Sequence, residues 1–124
     1  MMKSVTVTAL LSLSAVAFSA PAAFANASCH SQAKAIKAGQ KAANALKAER
    51  DALLEEVEVA GDEWEAAEDT RLFGAEEASK ADAAKRDYDA LKAELVSVEE
   101  DLQGRVSDLN ADVAAYNKRC ATKK

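Results

Sequence analysis

Small and apolar residues recur every seven positions along two long stretches of the chain, and this spacing dominates its pattern of hydrophobic and polar residues. In the first stretch, two interleaved series run through Cys29, Ile36, Ala43, Arg50, Val57 and Trp64, and through Gly39, Leu46, Leu53, Ala60 and Ala67. In the second stretch they run through Ala81, Tyr88, Leu95, Leu102, Leu109 and Tyr116, and through Ala84, Leu91, Val98, Val106, Val113 and Cys120. Such a repeat is the seam of a coiled coil, so the pattern predicts two long helices, each with one apolar face.

The register between the two helices follows from the numbering. If the helices fold back on each other, facing residues have numbers that sum to about 148 or 149, which places Ile36 opposite Val113. The charged seam residue, Arg50, then lies opposite Glu99, and we predict an ion pair between them. The alternative is that Arg50 extends along the helix to water. The repeat slips by one residue just before Val106, which predicts a straighter helix there.

A single all-α domain, a long antiparallel two-helix hairpin, is predicted for residues 26–124. This part of the chain has no proline and only four glycines. Gly74 is the natural turn, because glycine readily takes the left-handed conformation that ends a helix, and it separates arms of about 29–72 and 76–120. The sequence at Gly61 reads as a second helix stop, which we interpret as a kink or short interruption of the first arm. The alternative is an arrangement of three helical segments.

The two cysteines lie at matching distances from the turn. Cys29 precedes Gly74 by 45 residues and Cys120 follows it by 46, so a hairpin brings their sulfur atoms together at its base. We predict an intrachain Cys29–Cys120 disulfide, which requires an oxidising compartment. The alternatives are an intermolecular bridge or a free reactive thiol.

The first 25 residues have the three regions of a secretory signal peptide. Lys3 precedes an apolar run of about 14 residues, which is shorter than a membrane-spanning helix, and a stretch of small residues follows. Cleavage after Ala25 or after Ala27 leaves a mature chain that starts at Asn26 or Ser28. The predicted location is periplasmic or secreted. The alternatives are a retained membrane anchor and a lipid attached at Cys29.

Charge divides the mature chain into a basic end and an acidic body. Residues 26–48 and 113–124 contain no acid, whereas the region between them holds 21 acids against seven bases, a net charge of −14. The hairpin brings the two basic segments together at the end that the disulfide closes, which we call the base. One interpretation is that the uneven charge keeps the protein soluble and lets its segments attract each other. The other is that the basic base contacts an anionic surface. The basic residues of the base are Lys34, Lys37, Lys41, Lys47, Lys118, Arg119, Lys123 and Lys124.

No motif in the chain indicates catalysis, since it has one histidine, no phosphate-binding loop and no cluster of metal ligands. We therefore expect an exported, non-enzymatic structural or partner-binding hairpin, without a cofactor, metal or nucleic-acid partner, as a monomer or weak homo-oligomer. Its expected partner is a protein or an anionic surface of the cell envelope. The alternative is a small periplasmic chaperone or stress-related binding protein. Cleavage after Ala27 would also place His30 third from a free amine, an arrangement that can bind Cu(II) or Ni(II).

Overall fold

The computed structural model describes residues 28–121, which form two long helices packed side by side as an antiparallel hairpin. The first helix, α1, spans Cys29–Asp69, and the second, α2, spans Ala75–Tyr116. A 3-10 turn at Arg71–Phe73 joins them, and a π-helical segment at Asn117–Ala121 follows α2. At about 1.5 Å of rise per residue, α1 makes a rod roughly 60 Å long. The predicted all-helical hairpin is confirmed.

Several predicted features lie outside the described residues. These are the signal peptide at 1–25, both cleavage sites, and Lys123 and Lys124 of the basic set. Between residues 28 and 121, neither helix combines the length and the apolar character that crossing a membrane requires.

The start of α1 is capped by Ser28. Its hydroxyl oxygen accepts a hydrogen bond from the Ser31 backbone N–H at 3.1 Å, which satisfies one of the free donors of the first turn. The first turn of α1 carries no acid and its last turn no base, so side-chain charges do not compensate the helix dipole. The stability of this helix must therefore come from packing against α2 and from the covalent closure of the base.

The turn differs from the predicted one. Gly74 precedes α2 with φ 171° and ψ 177°, an extended conformation that any residue can adopt, so the prediction of a left-handed glycine is wrong. The chain reverses through the 3-10 turn instead. Thr70, which ends α1, donates from its backbone N–H and its hydroxyl to the Ala67 carbonyl at 3.3 and 3.2 Å, and the Phe73 N–H donates to the Thr70 carbonyl at 2.9 Å. Backbone hydrogen bonds therefore define the turn.

The core is a narrow seam between the helices. The buried apolar residues of the described part all occupy predicted seam positions: Ala43, Leu53, Ala60, Ala81 and Val98. Two glycines confirm the register, because a Cβ at Gly39 would lie 3.2 Å from Leu109 Cδ1 and one at Gly61 would lie 3.3 Å from Tyr88 Cε2. Their residue numbers sum to 148 and 149, as predicted.

Two seam predictions need correction. α1 runs without interruption through Gly61, where the missing side chain makes room for the Tyr88 ring instead of ending the helix. Val106, which the slipped repeat placed in the seam, is 42% exposed. Leu102 and Leu109, seven residues apart on either side of Val106, are half-buried, so α2 keeps the regular repeat and Val106 lies beside the seam.

Candidate functional site

The base of the hairpin is closed by the Cys29–Cys120 disulfide, with 5.8 Å between the Cα atoms. The predicted pairing is confirmed, and neither cysteine of the described residues is free. Cys29 is the first residue of α1, and Cys120 lies in the π-helical segment that follows α2. The bond therefore joins the two arms where the helices begin and end.

Gln32 lies beside this disulfide and was not predicted as a core residue. Its side chain is almost fully buried, and its amide oxygen lies 3.8 Å from Cys120 Sγ. A disulfide sulfur carries no hydrogen and an amide oxygen only accepts, so this approach is a van der Waals contact and not a hydrogen bond. The signal for this residue was present in the repeat, because Gln32 precedes the seam residue Gly39 by seven positions.

The disulfide brings the two basic segments to the same end of the rod. On α1, four lysines are exposed, and the spacing of the first three follows one helix face. None of the four takes part in an ion pair within residues 28–121. Two further basic residues, also exposed, immediately precede Cys120 in the π-helical segment. In this order, these residues are Lys34, Lys37, Lys41, Lys47, Lys118 and Arg119.

Arg50 has a different partner from the predicted one. Its guanidinium donates to Asp51 Oδ1 from Nε at 3.0 Å and from Nη2 at 2.6 Å, rather than to Glu99. Asp51 is the adjacent residue on the same helix, so the pair forms without crossing the seam. The Arg50 side chain stays half-buried, and the pair makes no link between the arms.

An aromatic pair lies toward the tip of the rod, the end at which the chain turns. The rings of Trp64 and Tyr88 stack with their centroids 5.5 Å apart and their planes at 27°. Lys85 Nζ lies 5.7 Å from the Trp64 centroid, and Lys92 Nζ lies 4.9 Å from that of Tyr88. Trp64 Nε1 also donates to Glu68 Oε1 at 3.2 Å. Because the rings contact each other and two lysines of α2, the cluster fastens α2 to α1.

Arg71 ties the turn to both helices. It donates from Nε and Nη2 to the two carboxylate oxygens of Glu68, each at 2.9 Å, and from Nη2 to Asp82 Oδ1 at 2.5 Å. Hydrogen bonds from Arg71 and then from Trp64 hold the pKa of Glu68 below its ordinary value, and the two carboxylates raise the pKa of Arg71. The Arg71 guanidinium therefore connects α1, the turn and α2, and it is already compensated by two acids.

The turn also presents two large apolar side chains to solvent. Leu72 is 95% exposed and Phe73 is 79% exposed, more than any other large apolar residue described. We did not predict them as functional residues, although they lie outside the seven-residue repeat of either arm. A large apolar residue between two seams has no core to enter, and this is the signal that could have identified them.

Residues 28–121 contain no group of three or more histidines, cysteines or acids placed to hold a metal ion, and His30 is exposed. One groove of about 550 Å³ lies open along the side of the rod, with Val59 and Leu91 in its wall and acidic residues at its rim.

Comparison of the chain with protein-family models, curated proteins and solved structures finds no match in any of the three. The surfaces of the chain itself are therefore what indicates a function. Two of them stand out: the basic base, and the apolar pair at the tip.

Proposed function

We propose that the protein is an exported, non-enzymatic rod whose basic base contacts an anionic surface of the cell envelope and whose acidic body extends away from it. One observation carries this proposal. The described basic residues of the segments without acids lie on the half of the rod that the disulfide closes, while all 21 acids lie in the region between those segments. Local helix stability does not explain this arrangement, because lysines near the start of α1 oppose the helix dipole.

The charges suit a weak, oriented contact. A basic residue near an anionic bilayer contributes on the order of 1 kcal/mol, and the attraction fades beyond about 8 Å at physiological salt. The body, at −14, is repelled by the same surface. At about 1.5 Å of rise per residue, Lys34 lies roughly 8 Å and Lys41 roughly 18 Å along α1 from Cys29. The lysine face of α1 therefore comes within range when the rod leans onto that face at its base. The contact is therefore expected to weaken steeply with salt.

Export is supported by two independent features. The first 25 residues follow the pattern of a signal peptide, and the disulfide persists in an oxidising compartment. The chaperone alternative requires a continuous exposed apolar face. On the arms, the described large apolar residues with substantial exposure are only Leu54, Val59, Val96 and Val106.

Co-sedimentation with vesicles tests the proposal. Vesicles with anionic phosphatidylglycerol and vesicles of neutral phosphatidylcholine are compared at low and high salt. The base variant carries glutamate at three exposed lysines of α1. All three side chains are exposed and lie outside the seam, so the variant should keep its fold. These positions are Lys34, Lys37 and Lys41.

A matched control changes the net charge equally but in the body. It carries glutamate at Lys80, Arg86 and Arg105, all exposed on α2. We expect the wild type and the control to sediment with anionic vesicles at low salt only, and the base variant to stay in solution. Equal sedimentation of base variant and control would contradict the proposal, because net charge alone would then account for binding.

A further inference from the structure

The tip carries a second surface, independent of the base. Leu72 and Phe73 are adjacent, and both project from the 3-10 turn at the apex of the rod. Large apolar side chains elsewhere on the arms are at most 56% exposed. An exposed apolar pair gains nothing for the hairpin, since neither side chain enters the seam. Contiguous exposed apolar residues are characteristic of surfaces that bind something else.

The turn holds the pair in a defined position. The Phe73 N–H donates to the Thr70 carbonyl at 2.9 Å, and Arg71, immediately before Leu72, is fixed by Glu68 on one side and by α2 on the other. A segment that is already ordered loses little conformational entropy when it binds. The two side chains are thus displayed on a rigid support.

The charges around the pair are mostly negative. Residues 68–82 hold five acids and two bases, and both bases are engaged: Arg71 with Glu68 and Asp82, and Lys80 with Glu76 at 2.9 Å. Asp69 and Glu77, on opposite sides of the turn, take part in no ion pair within residues 28–121. A complementary partner surface therefore has an apolar centre and basic residues around it.

The same features argue against two other occupants. A second copy docked tip to tip would bring the acidic turns together, and like charges repel. An anionic bilayer would be repelled by the same carboxylates. An apolar surface bordered by basic side chains complements both the exposed pair and the carboxylates around it. We propose that Leu72 and Phe73 dock against an apolar surface bordered by lysine or arginine side chains on another protein.

A peptide of defined chemistry provides the probe. It is a fluorescently labelled amphipathic helix of leucine and lysine, which offers an apolar surface bordered by basic residues; a peptide with glutamate at every lysine is its control. Binding to the full mature protein is followed by fluorescence anisotropy. The tip variant is Leu72→Ser with Phe73→Ser. The matched variant is Leu54→Ser with Val59→Ser, which removes two exposed apolar residues from the arm.

We expect the tip variant to bind the leucine–lysine peptide at least tenfold more weakly than wild type, and the matched variant to remain within twofold. The glutamate peptide should bind at least tenfold more weakly than the lysine peptide. Because the tip side chains lie outside the seam, the melting temperature of the tip variant should equal that of wild type, which separates lost binding from lost folding. Equal affinity of tip variant and wild type would overturn the proposal.

Two further measurements test the other occupants. Sedimentation equilibrium that shows a dimer of wild type, but not of the tip variant, would assign the tip to a second copy and overturn docking on another protein. Co-sedimentation of wild type, but not of the tip variant, with neutral vesicles would assign the tip to a bilayer. This result would also overturn the proposal. The base variant should keep its affinity for the peptide. The proposal for the tip and the proposal for the base can therefore be refuted independently.

Discussion

Breaking the Cys29–Cys120 disulfide should remove a large share of the stability of the protein. The bond closes a loop with a sequence separation of 91, and in the chain-entropy model a loop of this length contributes about 4.6 kcal/mol. The seam offers little to replace it, because three of its buried residues, Ala43, Ala60 and Ala81, each contribute only a methyl group. At roughly 4 to 8 °C per kcal/mol for a domain of this size, the melting temperature should fall by about 20 °C or more.

Thermal unfolding followed by circular dichroism at 222 nm measures this loss. The wild type is compared with and without a phosphine reductant, and with the double variant Cys29→Ser and Cys120→Ser. The reduced wild type and the variant should melt at the same temperature, and reductant should leave the variant unchanged, which controls for effects of the reagent. A fall of less than about 5 °C in both would refute the reasoning, since the bond would then place little restriction on the unfolded chain.

Three further perturbations test the packing and the tip. Gly104→Ala should raise the free energy of unfolding by about 0.5 to 1 kcal/mol, because the added Cβ meets open space. Gly61→Ala should give no such gain, because the added Cβ would crowd the Tyr88 ring, and equal gains for the two variants in urea titrations would contradict the close approach of Tyr88 to Gly61. Ala81→Leu should lower the free energy of unfolding by about 1 to 3 kcal/mol, because it overpacks the most buried seam position. Ala90→Leu, on the exposed face, should change it by no more than about 0.5 kcal/mol, and similar losses for the two variants would mean that Ala81 does not lie in the seam. Glu68→Gln should destabilise the protein at neutral pH. The pKa of Glu68 is depressed in the folded state, so the carboxylate stabilises the fold above pH 4.5, and this stabilisation is lost as pH falls through the lower folded pKa. If the melting-temperature difference between wild type and variant does not shrink in acid, the ionised carboxylate is not the source of the stabilisation.

Sequence periodicity predicted the parts of the fold that depend on helix geometry. The seven-residue spacing identifies the face that each helix buries, and Ala81 and Leu53 lie on it as predicted. The symmetric position of the cysteines about Gly74 set the register, which the contact of Gly39 with Leu109 confirms. These features follow from a regular backbone, so residue spacing alone is sufficient to predict them.

The remaining features depend on local choices between alternatives that spacing does not distinguish. Arg50 could reach across the seam or bond to its neighbour Asp51, and the adjacent carboxylate is its partner in the structure. The clamp from Arg71 to Asp82 depends on the exact path of the turn, which was predicted with a left-handed Gly74 and is a 3-10 turn instead. The position of Leu72 and Phe73 outside both repeats indicates that they are exposed, but the degree of exposure depends on that path.

The position of the disulfide has a mechanical consequence. A pull applied to the chain on both sides of the bridge, before Cys29 and after Cys120, is carried through the sulfur–sulfur bond and bypasses the 90 residues between them. Tension between the two ends therefore neither unzips the helices nor reaches the turn. The hairpin is attached to the strained chain at one point, the disulfide. Only a force applied to the hairpin itself, for instance at Phe73, would act on the packing between the arms.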